Sequence, residues 1–240
     1  MPDPTHAIAI LPARGGSKRI LGKNIKPFAG TPAIGWPIRA AQASGCFARI
    51  VVSTDDPAIA STARGLGAEV PFLRDAALSD DHSGTTDVIR DAVVRLGLAP
   101  DTPVCCLYPT AFFVTVDDLK QGLLQLESGA NWVLALGQYR TPIDRAYRAV
   151  GTGQVTGRVT GRVMARLPEK MPLRSQDLEP AYFDAGQFYW ARARTWADPA
   201  ARVWDGAAGV ILPAERCIDI DTPDDWALAE RMATLLGRDV

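Results

Sequence analysis

The segment from Ala13 to Ile25, ARGGSKRILGKNI, constrains this chain most strongly. It follows an apolar run, Ala7 to Leu11, that predicts a buried strand ended by Pro12. The adjacent glycines within it allow a tight turn whose backbone N–H groups can approach an anion. A strand, a glycine turn and clustered cations together predict a polyphosphate site, and the cations are Arg14, Lys18, Arg19 and Lys23. The alternative is a solvated basic loop without a ligand.

Charge is distributed unevenly along the chain. From Pro4 to Thr54 there is no Asp or Glu, whereas seven Arg and Lys residues occur there. The whole chain nevertheless has a formal net charge of −1. A basic bias confined to one region favours a small anionic ligand, so we expect neither nucleic acid nor a membrane surface as a partner.

The composition is that of a globular protein. The 240 residues are 47% hydrophobic, which is enough for one core or for one domain with an insertion. None of the four cysteines forms a C-x-x-C pair, which indicates inert thiols in a reducing compartment. The first six residues lack the features of a signal peptide, and no apolar run is as long as a membrane span. We therefore expect a cytoplasmic protein.

The order of predicted elements is typical of an α/β protein with a parallel sheet covered by helices. Thr31-Pro32 predicts a helix start, and Pro37 predicts a kink or a late start of that helix. His82 is interpreted as a loop residue rather than a zinc ligand, because His6 is the only other histidine. The predicted strands are Ala7–Leu11, Ile50–Ser53, Ala68–Leu73, Val104–Tyr108, Trp132–Leu136, Gly186–Ala191, Gly209–Leu212 and Cys217–Ile220, and the later helices are 57–67, 85–96, 116–127 and 223–236.

Residues 138–182 break this pattern. They show no clear helical period, are rich in Arg, Gly, Pro and Thr, and repeat the sequence VTGR at positions 155 and 159. This composition predicts a β-hairpin or an extended arm, because a structureless loop of that length is unusual in a compact domain. We therefore predict a core formed by residues 1–137 and 183–240, with an inserted, functional or subunit-exchanging arm at 138–182.

Asp219 and Asp221 form an acidic pair near the end of the chain. On an extended segment, residues two apart point to the same side. Such hard oxygen ligands suit Mg²⁺, which completes its octahedron with phosphate oxygens and water. The alternative is that they cap the following helix. However, Thr222, Pro223 and Asp225 already supply a capping box with proline at the first helical position, which leaves the acidic pair available for a metal.

Several segments resemble the CMP-sialic acid synthetases, a family of sugar cytidylyltransferases. They are Ile10–Ile25, Val52–Asp56, Val70–Arg74, Arg174–Leu178 and Ile218–Trp226, and they occur in order through nearly the whole chain. Within the family, the chain is similar to the branch that uses pseudaminic acid, on the segments Tyr108–Ala111, Arg174–Glu179 and Asp184–Trp190. The sialic acid branch usually has Gln in place of Tyr108 and Asn-Gly in place of Ala185-Gly186. Phe112 departs from the pattern, since this branch usually has Pro there, and it could change the sugar pocket.

The resemblance implies a Rossmann-like nucleotide-diphospho-sugar transferase fold with a mainly parallel sheet. It implies a homodimer in which the β-rich arm reaches the partner's sugar site. The implied reaction is CTP plus a nine-carbon 2-keto sugar acid giving a CMP-sugar and pyrophosphate, with Mg²⁺ as cofactor and flagellin or surface polysaccharide as the destination of the sugar.

The resemblance also implies roles for individual residues. Arg14 and Lys23 would hold the triphosphate above the backbone of Gly15, Gly16 and Ser17, with Asn24 beside the nucleotide and Arg74 reading the cytosine. Mg²⁺ would bind Asp219 and Asp221. The sugar site would be lined by Tyr108, Arg174, Gln176 and Gln187. Arg14, Lys23 and Asp221 would be catalytic, and the general base is open between Asp221 and a metal-bound hydroxide.

Other functions share parts of this pattern. Within the family, N-acetylneuraminic and legionaminic acid are the alternative substrates. A glycosyltransferase shares the fold type and an acidic pair, but its pair usually lies in the middle of the chain. A non-catalytic nucleotide-binding module would bind the nucleotide without releasing pyrophosphate, and the acidic pair argues against it.

Overall fold

The computed structural model describes residues 7–79, 84–150, 154–155, 158–159 and 162–238. The chain divides into two compact units, one formed by residues 1–136 and 184–240 and the other by Gly137–Phe183. The first six residues and His82 lie outside the described residues, and so does part of the VTGR repeat.

The elements alternate between strands and helices along most of the chain. The strands are β1 Ala7–Pro12, β2 Pro27–Phe28, β3 Thr31–Pro32, β4 Phe47–Ser53, β5 Pro103–Leu107, β6 Trp132–Gln138, β7 Tyr147–Val150, β8 Gln154–Val155, β9 Arg158–Val159, β10 Arg162–Ala165, β11 Tyr182–Arg192 and β12 Ala207–Leu212. The α-helices are α1 Gly35–Ser44, α2 Pro57–Gly65, α3 Thr85–Arg95, α4 Val116–Glu127, α5 Ala193–Ala197 and α6 Pro223–Leu235. No helix in the described part of the chain combines the length and the apolar character needed to cross a membrane.

The central sheet has the strand order β12-β6-β11-β5-β1-β4. Strand β1 pairs in parallel with both β4 and β5, and β11 is antiparallel to β5. The predicted mainly parallel sheet is therefore confirmed. Because β1, β4 and β5 run in one direction, their carboxyl ends, at Pro12, Ser53 and Leu107, meet at the same edge of the sheet.

Strand β1 is buried on both faces, as expected for a central parallel strand. Successive side chains point to opposite faces of a strand, so Ile10 and Leu11 enter different clusters. Leu11 packs with Ile38 and Trp190, whereas Ile10 packs with Ile89 and others on the opposite side. The glycine-rich segment thus leaves the sheet from a fully packed position.

Three predicted helix starts are confirmed by their caps. The carboxylate of Asp56 accepts a hydrogen bond from the Ala58 N–H at 2.7 Å at the start of α2. Thr115 forms a capping box at α4. Thr222 forms another with Asp225 at α6, whose first residue is Pro223. Side-chain oxygens at these positions satisfy N–H groups that a helix leaves unpaired.

The predicted start of the first helix at Thr31 is wrong. Thr31-Pro32 instead pairs with Pro27-Phe28 as a short antiparallel ribbon. The turn residues Ala29 and Gly30 both have positive φ angles, 43° and 73°, as a tight hairpin turn requires. Helix α1 begins later, at Gly35, and Pro37 lies in its first turn, where its missing N–H loses no helical hydrogen bond.

Two other strand predictions are wrong. Residues 68–73 form only single bridges, from Val51 to Glu69 and from Thr54 to Leu73, because Pro71 between them lacks an N–H. The predicted last strand, Cys217–Ile220, pairs with no strand in the described part of the chain. Ile218 and Ile220 instead pack in a cluster with Phe28, Phe112 and Trp226, so side-chain packing accounts for the pattern.

Antiparallel pairing dominates the second unit. Strand β7 pairs with β10, with Tyr147 opposite Ala165 and Val150 opposite Arg162. Strand β8 pairs with β9. The Tyr139 N–H donates to the Ala181 carbonyl at 2.9 Å, and the Tyr139 ring packs on Phe183 with centroids 5.0 Å apart. The unit is thus built largely from pairs of extended segments.

Candidate functional site

A cavity of about 520 Å³ opens at the edge of the sheet where β1 and β5 end. Its wall combines residues that are far apart in the sequence but lie at the carboxyl ends of neighbouring strands, the usual place for a ligand in an open α/β sheet. The lining residues are Pro12, Arg14, Ser17, Lys18, Arg19, Lys23, Asn24, Arg74, Leu78, Thr85, Val88, Tyr108, Pro109, Thr110 and Asp221.

The two adjacent glycines have different local environments. A Cβ on Gly15 would lie 2.7 Å from Asp56 Oδ2 and 2.9 Å from Asp56 Cβ, so the backbone there touches the cap of α2. A Cβ on Gly16 would meet no atom within 4 Å, and neither glycine has a positive φ angle. Gly15 is therefore needed for close packing within the protein, while Gly16 leaves backbone accessible to a ligand.

Asn24 fixes the shape of the glycine loop from inside. It is 5% exposed, and its side-chain Nδ2 donates to the Arg14 carbonyl at 2.9 Å. Its own carbonyl accepts from the Ile34 N–H at 2.8 Å, just before α1. Asn24 therefore holds the two ends of the basic loop together and also lines the cavity.

The basic loop meets the late acidic segment in the folded chain. Lys23 Nζ donates to the Ile220 carbonyl at 2.6 Å and lies 3.8 Å from Asp221 Oδ1. The Arg19 guanidinium lies 3.2 Å from Asp221 Oδ2. Burial lowers the pKa of Lys23, while the charges of Asp221 and Asp219 oppose that shift. Two segments about 200 residues apart in sequence thus form one charged surface.

Asp219 lies close to Asp221 and, like it, is exposed, but it does not line the cavity. Burial raises its pKa, the neighbouring charge of Asp221 adds to that shift, and Lys23 opposes it. Its carboxylate packs against Gly186, which has a φ of 61° and whose added Cβ would lie 2.8 Å from the Asp219 carboxyl carbon. A cation bound near these two carboxylates would stabilise their ionised forms, which repel each other.

No group of three His, Cys, Asp or Glu residues within the described ranges is arranged to hold a metal ion. Two carboxylate residues alone cannot fill the octahedron of Mg²⁺, which usually keeps waters and takes substrate phosphate oxygens. The residues Asp219 and Asp221 therefore fit a metal that arrives with a phosphorylated ligand rather than one held by protein groups alone.

Arg74 places a buried guanidinium in the cavity wall. Its side chain is 2% exposed and lies 3.5 Å from Asp55 Oδ1, and its Nε donates to Ser79 Oγ at 3.1 Å. Its backbone N–H donates to the Thr54 carbonyl at 2.7 Å, which fixes the residue to the end of β4. Burial lowers the pKa of Arg74, and Asp55 partly reverses this shift.

Tyr108 lines the cavity at the end of β5. Its hydroxyl lies 2.9 Å from Thr85 Oγ1 at the start of α3, and its ring packs edge-on against Tyr189 at 5.7 Å. The Tyr189 hydroxyl donates to the carboxylate of Asp184. Burial raises the pKa of both tyrosines above the ordinary value.

Gln187, another predicted sugar-site residue, does not line this cavity in the described structure. Gln187 is 1% exposed, and its side-chain nitrogen donates to the Arg216 carbonyl in the segment leading to Asp219. Arg174 and Gln176 belong to the second unit, where Arg174 Nε lies 2.9 Å from Asp177 Oδ2. Phe112 is buried among aromatic side chains, stacked on Phe28 with centroids 3.9 Å apart, so it is a core residue.

Asp55 and Thr85 were missed as site residues in the sequence. Asp55 accepts from the Gly15 N–H at 3.0 Å and pairs with Arg74, and Thr85 lines the cavity beside Tyr108. For Asp55 a signal existed, because it directly follows a predicted buried strand and strand ends collect functional side chains. Thr85 carried no comparable signal, since a threonine at a helix start is usually only a cap.

The fold and the site define a nucleotidyltransferase, and a family comparison agrees. A family model described as cytidylyltransferase matches residues 8–190. That match covers most of the chain, and relatives above 30% identity cover nearly all of it, so the chain belongs to the cytidylyltransferase family. The family predicted from the sequence motifs is confirmed.

Two relatives and one solved structure show which members of this class the chain resembles. A pseudaminic acid cytidylyltransferase of Campylobacter jejuni subsp. jejuni serotype O:2 is 37% identical over 226 residues, covering 93% of this chain and 94% of the relative. A CMP-N,N'-diacetyllegionaminic acid synthase of Legionella pneumophila is 33% identical over 238 residues, covering 95% and 96%. The solved structure of CMP:2-keto-3-deoxy-manno-octonic acid synthetase complexed with CTP has a TM-score of 0.66 at 18% identity, covering 98% of this chain and 99% of that one. The last similarity confirms the predicted fold.

Proposed function

We propose that this chain is a pseudaminic acid cytidylyltransferase, which converts CTP and pseudaminic acid to CMP-pseudaminic acid and pyrophosphate. The observation that carries the proposal is the cavity that unites Arg14, Lys23 and Arg74 with Asp221. Five cations and one carboxylate line this single cleft, because Lys18 and Arg19 lie there too, and this charge pattern matches a metal-bound nucleoside triphosphate. The 37% identity to a pseudaminic acid cytidylyltransferase over nearly the full length supports this choice of sugar acid.

The glycine loop would bind the triphosphate. Arg14 and Lys23 both line the cavity, and the open space at Gly16 allows backbone N–H groups to approach phosphate oxygens. Ser17 lies on the same wall. Phosphoryl transfer needs little covalent help from the protein, so positioning and charge neutralisation by these groups would supply most of the catalysis.

The cytosine would bind near Arg74. A guanidinium carries donors in a fixed planar arrangement, which suits acceptor atoms on a base edge. In this structure the Arg74 side chain is held by Asp55 and Ser79 and still lines the cavity. Asn24 would lie beside the nucleotide because it forms the wall between the loop and α1.

Asp219 and Asp221 would hold the divalent cation, and Mg²⁺ is the ion we propose. When bound, Mg²⁺ would stabilise negative charge at the α-phosphate and lower the pKa of the attacking hydroxyl. The sugar's anomeric hydroxyl oxygen would form the new bond to the α-phosphorus as the bond to pyrophosphate breaks, and the hydroxyl proton would pass to the carboxylate of Asp221. Arg14 and Lys23 would neutralise the charge that develops on the pyrophosphate.

The sugar acid would bind beyond the α-phosphate, beside Tyr108. Tyr108 lines the cavity, so its hydroxyl can donate to or orient a sugar oxygen. Gln187 would act by holding the Arg216 carbonyl, and with it the segment that leads to Asp219. Arg174 and Gln176 would contribute from the arm of the partner chain in the proposed homodimer, where Arg174 carries a charge suited to the sugar's carboxylate.

We propose that the second unit forms a homodimer interface. Nine of the eighteen exposed large hydrophobic side chains of the described residues lie in this unit of 47 residues: Tyr139, Ile143, Tyr147, Val150, Val163, Met164, Leu167, Leu173 and Tyr182. Such a concentration of exposed apolar side chains is typical of a protein–protein interface. Light scattering on the purified chain should give about twice the mass of one chain, and a monomer at micromolar concentration would refute the proposal.

The cell compartment we propose is the cytoplasm. All four cysteines are free thiols, and Cys46, Cys105 and Cys106 are buried. Unpaired thiols in a chain of this size are typical of a reducing compartment. The product sugar would then be transferred to flagellin or to a surface polysaccharide by a later enzyme.

Pyrophosphate release tests the reaction directly. The chain is incubated with CTP, MgCl₂ and one of three sugar acids, namely pseudaminic, N-acetylneuraminic or legionaminic acid. We expect release only when pseudaminic acid is present. Release with legionaminic acid alone would instead support the activity in the name of the 33% identical relative, a CMP-N,N'-diacetyllegionaminic acid synthase. No release with any of the sugar acids would refute cytidylyl transfer. Parallel assays with UTP and ATP test the choice of nucleotide.

A further inference from the structure

Asp55 connects two parts of the cavity wall through one carboxylate oxygen. Its Oδ1 accepts from the backbone N–H of Gly15 at 3.0 Å and lies 3.5 Å from the Arg74 guanidinium. Gly15 belongs to the glycine loop on the proposed triphosphate side. Arg74 belongs to the proposed nucleobase side. One side chain therefore contacts elements that would bind opposite ends of the nucleotide.

The burial of Arg74 makes this contact energetically important. The Arg74 side chain is 2% exposed, whereas that of Asp55 is 29% exposed. A buried cation without a counter-charge is strongly unfavourable. Among the described residues, Asp55 is the ion-pair partner of Arg74. Arg74 Nε also donates to Ser79 Oγ, but this hydroxyl is neutral.

The backbone around Asp55 holds its side chain in place. Ser53, the last residue of β4, accepts from the Ala13 N–H at 2.9 Å, and Thr54 accepts from the Arg74 N–H at 2.7 Å. Three chain segments are thus fixed to one another by main-chain hydrogen bonds next to Asp55. Its carboxylate needs no reorganisation to reach both Gly15 and Arg74.

We propose that Asp55 is a positioning residue that sets nucleotide affinity by holding Arg74 and the glycine loop in one arrangement. It acts through these two partners and does not itself contact the nucleotide. The inference rests on the proposed function, because it takes Arg74 as the nucleobase contact. It predicts that the two contacts of Asp55 can be separated by two substitutions.

The test compares Asp55→Asn with Asp55→Ala by calorimetric titration of CTP and of inorganic tripolyphosphate. Asn keeps an oxygen that can accept from the Gly15 N–H but removes the charge facing Arg74. We expect Asp55→Asn to weaken CTP binding about tenfold while tripolyphosphate binding changes less than about twofold. Ala removes both contacts, so Asp55→Ala should weaken the binding of both CTP and tripolyphosphate. Asp55→Asn should therefore bind tripolyphosphate more tightly than Asp55→Ala does.

Asp56→Asn is the matched control, because it removes one negative charge from the next residue while Asn remains a good helix cap. Circular dichroism melts verify that each variant is folded. Equal weakening of CTP and tripolyphosphate by Asp55→Asn, or no weakening of either, would overturn the inference. A wild-type chain that binds CTP but releases no pyrophosphate would refute only the proposed reaction, whereas no CTP binding at all would refute both.

Discussion

Replacing each of the two adjacent glycines by alanine should separate packing from ligand binding. In Gly15→Ala the new methyl carbon would lie 2.7 Å from Asp56 Oδ2 and 2.9 Å from Asp56 Cβ, well inside van der Waals contact. Asp56 caps α2, so it cannot move without weakening its hydrogen bond to the Ala58 N–H. In Gly16→Ala the methyl would meet no protein atom within 4 Å.

The expected magnitudes follow from these distances. Overpacking of this kind costs about 1–3 kcal/mol, which for a chain of this size lowers Tm by about 2–12 °C. Gly16 has no positive φ angle, so alanine there should stabilise the fold by about 0.4–1 kcal/mol through the unfolded state. If phosphate oxygens approach the Gly16 backbone, its methyl should block one charge-assisted contact and raise the KM for CTP roughly tenfold.

Differential scanning calorimetry and pyrophosphate-release kinetics measure the two effects on the same samples. The two variants should show opposite patterns: Gly15→Ala should be less stable than the wild type, and Gly16→Ala should be stable but bind CTP weakly. A Gly16→Ala variant with the wild-type KM would show that the triphosphate does not lie against this backbone. A Gly15→Ala variant as stable as the wild type would show that the contact with Asp56 is looser than the structure indicates.

Three further predictions concern single side chains. Asp221→Asn should lower turnover at saturating Mg²⁺ by about 10²–10³ because it removes a preorganised charge, whereas Asp224→Asn in the first turn of α6 should not; near-wild-type turnover of Asp221→Asn would refute the metal assignment. Phe112→Ala should lower the free energy of unfolding by about 3–5 kcal/mol in urea titrations, since Phe112 is buried and stacked on Phe28, whereas Leu124→Ala at an exposed site should change it little. Asp118→Ala should cost about 3–5 kcal/mol in the same titrations, because it removes the carboxylate partner of Arg216 and also breaks the capping box of α4. A much smaller loss would show that the Phe113 carbonyl, which also accepts from Arg216, is a sufficient partner.

Sequence patterns predicted those parts of the fold whose signals are local. The apolar run at 7–11 and the caps at Asp56, Thr115 and Thr222 need no information from distant residues, and the structure has each of them. The segment Cys217–Ile220 has the same apolar character as a strand, but its residues pack on an aromatic cluster instead of pairing. Only the three-dimensional arrangement shows whether a short apolar run pairs as a strand or packs its side chains without pairing.

The candidate site was predictable where residue type alone suggests chemistry. Clustered cations beside glycines and an isolated acidic pair suggest a phosphate and a metal, and the structure places Lys23 against Ile220 and Asp221. The position of Asp55 at a strand end marked it as a candidate, but its role was not predictable, because that role depends on two partners, one 40 residues away, that meet it only in the folded chain. Residues that act through others leave little signal in a single sequence.

The contacts of Asp221 indicate how metal and nucleotide binding would be coupled. Its carboxylate lies 3.2 Å from Arg19 and 3.8 Å from Lys23, and both cations line the same cavity. If these cations turn toward a triphosphate, Asp221 loses its counter-charge and must gain another, which a divalent ion supplies. Metal and CTP should therefore each increase the affinity of the other by the same factor, because coupling between two binding equilibria is reciprocal. Asp221 and the basic loop would then act as one electrostatic unit, although about 200 residues of sequence separate them.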